Sequence, residues 1–135
     1  MSDSKERKFN VLLAEDNEDW VATVEDIITE IGGVLVKTAT NLEDAIDAMA
    51  MLEELKVDII ILGGSLGEFK IGNTDTLRIL IALMEARIEG GFHANKAKTI
   101  GLSGDHQTRI KELDAQLGKN NIDNLKATIL RLLAK

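Results

Sequence analysis

VDIIILGG, residues 57–64, decides how this chain folds. Five of the first six residues are apolar, and three are consecutive isoleucines, whose branched β-carbons favour extended backbone. A run without a polar face predicts a strand covered on both sides, the environment of a strand inside a parallel sheet. It stops at Gly63-Gly64, where side-chain bulk disappears.

Upstream, Phe9 to Ala14 reads FNVLLA, a second short apolar run, and it ends on the acids Glu15 and Asp16. Trp20, Val21, Val24, Ile27, Ile28 and Ile31 then recur at helical spacing, with Gly32-Gly33 placed to end that helix. Val34-Leu35-Val36 gives a further strand. Thr40 stands three residues before Glu43, a capping-box spacing. Leu42, Ala45, Ile46, Met49, Leu52 and Leu55 mark the apolar face of the helix that follows.

Downstream, residues 65–73 read as a loop, and Asn73 or Thr74 caps a helix carrying Leu77, Leu80, Ile81, Met84 and Ile88. GGFHAN is a second loop before a strand at residues 98–102. The remainder supports a short helix, a weakly signalled strand in DAQLG, and a final helix from about Ile122. Strands alternating with helices predict an α/β domain with right-handed crossovers over a parallel sheet. The expected layout is a flexible tail over residues 1–8 and a single domain over 9–135.

Composition narrows the function. At 135 residues the chain fits one domain and leaves little room for a separate catalytic module. It has no cysteine, so thiolate metal sites are excluded, and two histidines, His93 and His106, set apart and expected at the surface, so a histidine-rich zinc site is not expected. A net charge of -7 offers no general field for nucleic-acid phosphates. The polar N-terminus runs into too short an apolar segment for a signal or membrane span, so a cytoplasmic protein away from the membrane is expected.

In an open parallel sheet the loops leaving the carboxyl ends of the strands gather the functional groups. Those ends carry Glu15-Asp16, Gly63-Gly64-Ser65 and Ser103-Gly104-Asp105. Two adjacent acids can hold a hard divalent cation such as Mg2+. Alternatively, the acids over residues 15–19 are a solvated helix start that favours the helix dipole. Ser103 suits either an anion contact or a helix cap. The glycine-rich stretch from Gly63 lacks the GxxxxGK[ST] spacing of a nucleotide triphosphatase.

With this order of elements, VLLAEDNEDW, VDIIILG, TIGLS and LGKNNIDNL together resemble the receiver domain of bacterial two-component response regulators. The resemblance covers residues 9–133. It implies a doubly wound five-stranded parallel sheet of receiver or flavodoxin-like type, strand order 2-1-3-4-5. In that family the domain accepts phosphate on an aspartate from a histidine kinase. Glu15 and Asp16 resemble the family's magnesium-binding acids, Ser103 its phosphate-sensing hydroxyl, and Lys119 its phosphate-pairing lysine, with Lys126 a competing match. Gly63 falls where the family has its phosphoacceptor aspartate.

Glycine has no side chain to attack phosphorus. Asp58 stands five residues, or roughly 16 Å of extended chain, away at the other end of the same strand. The expectation is therefore a degenerate pocket of Glu15, Asp16, Gly63, Gly64, Ser103 and Lys119, with no catalytic residue. The chain is then an atypical receiver acting by protein contact with a histidine kinase, another signalling protein or itself. The alternative is an active phosphoacceptor that uses a displaced acid or hydroxyl of residues 65–75, such as Ser65, Glu68 or Asp75, with magnesium. Ile122, Leu125, Ile129, Leu130, Leu132 and Leu133 of the last helix offer a dimer or effector face, or simply close the sheet.

Overall fold

A computed structural model describes residues 8–63, 75–103 and 113–134, with side chains described at all of these except 75–77, 103, 119 and 120. Five strands form one parallel sheet: β1 Phe9–Ala14, β2 Gly33–Ala39, β3 Ile59–Gly63, β4 Lys98–Ser103 and β5 Ala115–Gly118. Their order across the sheet is β2-β1-β3-β4-β5, the arrangement expected from the sequence.

The isoleucine run sits at the centre. Side chains alternate across the pleat, so Ile60 and Leu62 of β3 join Leu12 and Ala14 of β1 in one core layer. Ile59 and Ile61 join Val11 and Leu13 in the other. Burying each of the valine, leucine and isoleucine side chains among them contributes about 1.5–3 kcal/mol. This double coverage is why neither central strand shows a polar face.

Helices cover both layers. α1 (Glu18–Glu30) and α6 (Leu125–Leu133) lie over the Ile61 side, where Val24, Ile28, Leu125, Ile129 and Leu132 are buried. α2 (Leu42–Ala48) continues through a 3-10 turn at Met49–Met51 into α3 (Leu52–Leu55), and its expected apolar face is buried or half-buried throughout. α4 (Asp75–Ile88) and the short α5 (Phe92–Lys96) complete the Ile60 side.

Several local expectations are corrected. The cap of α2 is Asn41, whose side chain accepts from Asp44 N at 2.8 Å, so the cap lies one residue after Thr40. GGFHAN contains α5 rather than loop alone, and His93 within it is half-buried instead of exposed. The regular last helix starts at Leu125, after a 3-10 segment Lys119–Asn124 kinked at Asn121. Of the apolar residues predicted for one face of α4, Leu80 is buried, whereas Ile81, Met84 and Ile88 face solvent. The core side of α4 is Ile79, Leu80 and Leu83. His106 and the expected caps Asn73 and Thr74 lie outside the described residues.

Among the described residues no helix is long and apolar enough to cross a membrane.

Candidate functional site

The carboxyl edge of the sheet is built by register. Ala14 pairs with Ala39 on one side and Leu62 on the other, Gly63 pairs with Leu102, and Ser103 pairs with Gly118. The backbones of Glu15, Gly63, Ser103 and Lys119 therefore come to the same edge, each at or just beyond the end of its strand. Gly64 and residues 65–74 lie outside the described residues, as do Gly104 and Asp105, and the side chains of Ser103, Lys119 and Asp75 are not among those described.

The two adjacent acids part company. Glu15 N donates to Ala39 O at 2.9 Å, which extends the β1–β2 ladder by one residue and fixes the Glu15 backbone. The Glu15 side chain is fully buried, and its Oε2 accepts from Asn17 N at 3.0 Å. Asp16 is exposed. Asn17 caps α1, its side chain accepting from Trp20 N at 3.1 Å, and Glu18 and Asp19 occupy the first turn, where acids favour the helix dipole. Trp20 is half-buried on that helix.

Gly63 explains where Glu15 goes. A β-carbon built on Gly63 would overlap Glu15 Oε1, and would stand 3.0 Å from Glu15 Cδ and 2.9 Å from the Ala14 carbonyl oxygen. The volume that a side chain at residue 63 would need is filled by the carboxyl group of Glu15. Sequence inspection placed both residues at the strand ends but missed this contact, because nothing in the spacing of Glu15 reports which way its side chain turns.

Magnesium requires close to octahedral oxygen coordination, commonly from one or two carboxylates with several waters. Here one acid is packed beneath the edge, the other is exposed, and Gly63 supplies no side-chain oxygen. Among the described residues, no three His, Cys, Asp or Glu side chains gather to hold a metal. Among the described residues, this arrangement does not fit a magnesium site.

Two other candidates are accounted for by structure. Asp58 Oδ2 accepts from Asn10 N at 2.8 Å, Asp58 N donates to Asn10 O at 2.8 Å, and Lys96 Nζ lies 3.8 Å from Asp58 Oδ1. Asp58 thus ties the amino end of β3 to β1, away from Gly63. Lys126 Nζ is 3.0 Å from Glu30 Oε1, at the end of α1 remote from Glu15, so Lys126 belongs to a surface ion pair between α6 and α1.

No protein-family model and no curated protein matches the chain. Solved structures do. The signal receiver domain of a modulated diguanylate cyclase from Desulfovibrio desulfuricans G20 has a TM-score of 0.69 at 17% identity, covering 95% of each chain. A chain from the complex of the P1 domain of CheA3 with CheY6 of R. sphaeroides has a TM-score of 0.66 at 20% identity, covering 94% of this chain and 98% of that one. The response regulator domain of Thermotoga maritima CheB has a TM-score of 0.66 at 14% identity, covering 95% and 96%. With the strand order β2-β1-β3-β4-β5, these likenesses establish that the chain has the receiver fold.

Proposed function

We propose that this chain is an atypical receiver of two-component signalling that works by protein contact, without taking phosphate onto the usual strand end. The observation that carries this reading is the Glu15 carboxyl group packed into the space a side chain at Gly63 would occupy. A phosphoacceptor there would need both a nucleophilic oxygen and room for a phosphoryl group. Gly63 provides no oxygen, and Glu15 takes the room.

A module with this pocket signals by changing what it is bound to. Its partners are a histidine kinase, another signalling protein or a second copy of itself. The first of these is supported by the similar chain found in a complex of CheA3 P1 and CheY6. Glu15, Asp16, Gly63, Gly64, Ser103 and Lys119 make up the degenerate pocket, with Lys119, directly after β5, as its lysine.

The test is intact mass after incubation with magnesium and a small phosphodonor, beside an Asp16→Ala variant. The unmodified mass is expected for both. A phosphoryl adduct that depends on Asp16 and maps to residues 65–75 would overturn the reading in favour of a displaced acceptor.

A further inference from the structure

α1 starts just after β1 ends, and one side chain ties that start to a different strand. The Glu15 carboxyl group makes contact in two directions. Its Oε1 lies where a β-carbon on Gly63 would stand, at the end of β3, and its Oε2 accepts from Asn17 N at 3.0 Å. Asn17 is the cap of α1: its Oδ1 accepts from Trp20 N at 3.1 Å, and its carbonyl oxygen accepts from Val21 N at 3.0 Å.

A run of direct contacts therefore leads from Gly63 through Glu15 and Asn17 to Trp20 and Val21. The first N–H groups of a helix have no partners within the helix, so the order of this turn depends on its cap. The cap in turn is held at its own N–H by Glu15. The Glu15 side chain is fully buried, and its backbone is fixed by the bond from Glu15 N to Ala39 O at 2.9 Å. In close-packed surroundings the carboxyl group gives up the volume over Gly63 only by turning, and both oxygens turn together, so Oε2 leaves Asn17.

We infer that Glu15 couples the carboxyl end of β3 to the first turn of α1: a group that enters the space over Gly63 displaces the carboxyl group, frees Asn17 N and loosens the start of the helix. Coupling of this kind is reciprocal, so a partner protein that orders the first turn of α1 also holds Glu15 over Gly63. The inference goes beyond the proposed function and stands whether or not the strand end takes phosphate.

Hydrogen exchange of the full chain, followed residue by residue, tests it, with Gly63→Ala supplying the intruding group as a β-carbon. Amides of Asn17, Trp20 and Val21 should exchange about two- to tenfold faster than in the wild type, beyond any change shared with the buried Val24 and Ile28 of the same helix. Glu15→Ala removes the acceptor outright and should give a similar change, and adding Gly63→Ala to it should speed these three amides no further. Trp20 is the one tryptophan in a chain without tyrosine, so its emission should shift to longer wavelength in the same variants. Asp114→Ala, at the opposite edge of the sheet, is the control for general destabilisation and should leave the three amides in step with Val24 and Ile28. Exchange at Asn17, Trp20 and Val21 that stays in step in Gly63→Ala overturns the inference. An effect of Gly63→Ala that persists in the Glu15→Ala background overturns it too, since it then reaches α1 by another route. If Gly63→Ala fails to fold, Glu15→Ala decides alone, and a first turn as protected as in the wild type overturns the inference.

Discussion

The carboxyl group of Glu15 lies where a β-carbon on Gly63 would stand: the acid at the end of β1 fills the space that the missing side chain at the end of β3 leaves. The two residues are coupled, since each is tolerated because of the other. Gly63→Ala should cost about 1–3 kcal/mol, the usual penalty of overpacking a filled site. Glu15→Ala loses buried contacts and the bond from Asn17 N. The double variant should be less destabilised than the sum of the singles, by about 1 kcal/mol in a double-mutant cycle. Recovery should be incomplete, because the Ala14 carbonyl oxygen still stands 2.9 Å from the new β-carbon. Urea midpoints of the four proteins measure the coupling, and strict additivity would separate the two residues.

A polar latch at the start of β5 adds to its pairing with β4. Asp114 Oδ2 accepts from Thr99 N at 2.8 Å and from Thr99 Oγ1 at 3.2 Å, and Asp114 N donates to Thr99 Oγ1 at 3.0 Å. Asp114→Ala leaves the buried Thr99 groups short of partners and should cost about 1–3 kcal/mol. Hydrogen exchange is the decisive readout: amides of β5 should exchange faster in the variant while those of β1 and β3 follow only the global loss.

Lys56 ends α3 in the left-handed region, with φ 53 and ψ 50, and its side chain is exposed. A side chain raises the energy of that conformation, and glycine avoids the clash at some cost in unfolded-chain entropy. Lys56→Gly should stabilise the fold by about 0.5–1 kcal/mol. A rise in the urea midpoint at unchanged slope is the expected result.

The parts of the fold legible in the sequence were those with an unambiguous burial pattern. Residues 57–62 and Phe9–Ala14 are apolar because β3 and β1 are covered on both faces, and that alone implies a parallel sheet. β5 was poorly signalled because AQLG is short and half-buried at every position, with only Ala115 and Leu117 packed against the core, and part of its anchoring comes from the polar contact of Thr99 with Asp114. The orientation of α4 was not readable because the helix carries two apolar stripes, and only the packing of Ile79, Leu80 and Leu83 against the sheet chooses between them. At the strand ends, the positions of Glu15, Asp16, Gly63 and Ser103 followed from the order of elements. The inward turn of Glu15 did not, since it depends on the absence of a side chain on a different strand.

The most direct test of the account is the amide spectrum of the isotopically labelled chain, titrated with magnesium and then with a beryllofluoride mimic of a phosphoryl group. The account expects no saturable shift at Glu15, Asp16, Gly63 or Ser103 with either addition, because Glu15 is committed to the space over Gly63 and the exposed Asp16 binds a cation poorly on its own. Saturable shifts at these amides, with Glu15 released from beneath the sheet edge, would contradict it and make the strand-end pocket a working cation and phosphoryl site.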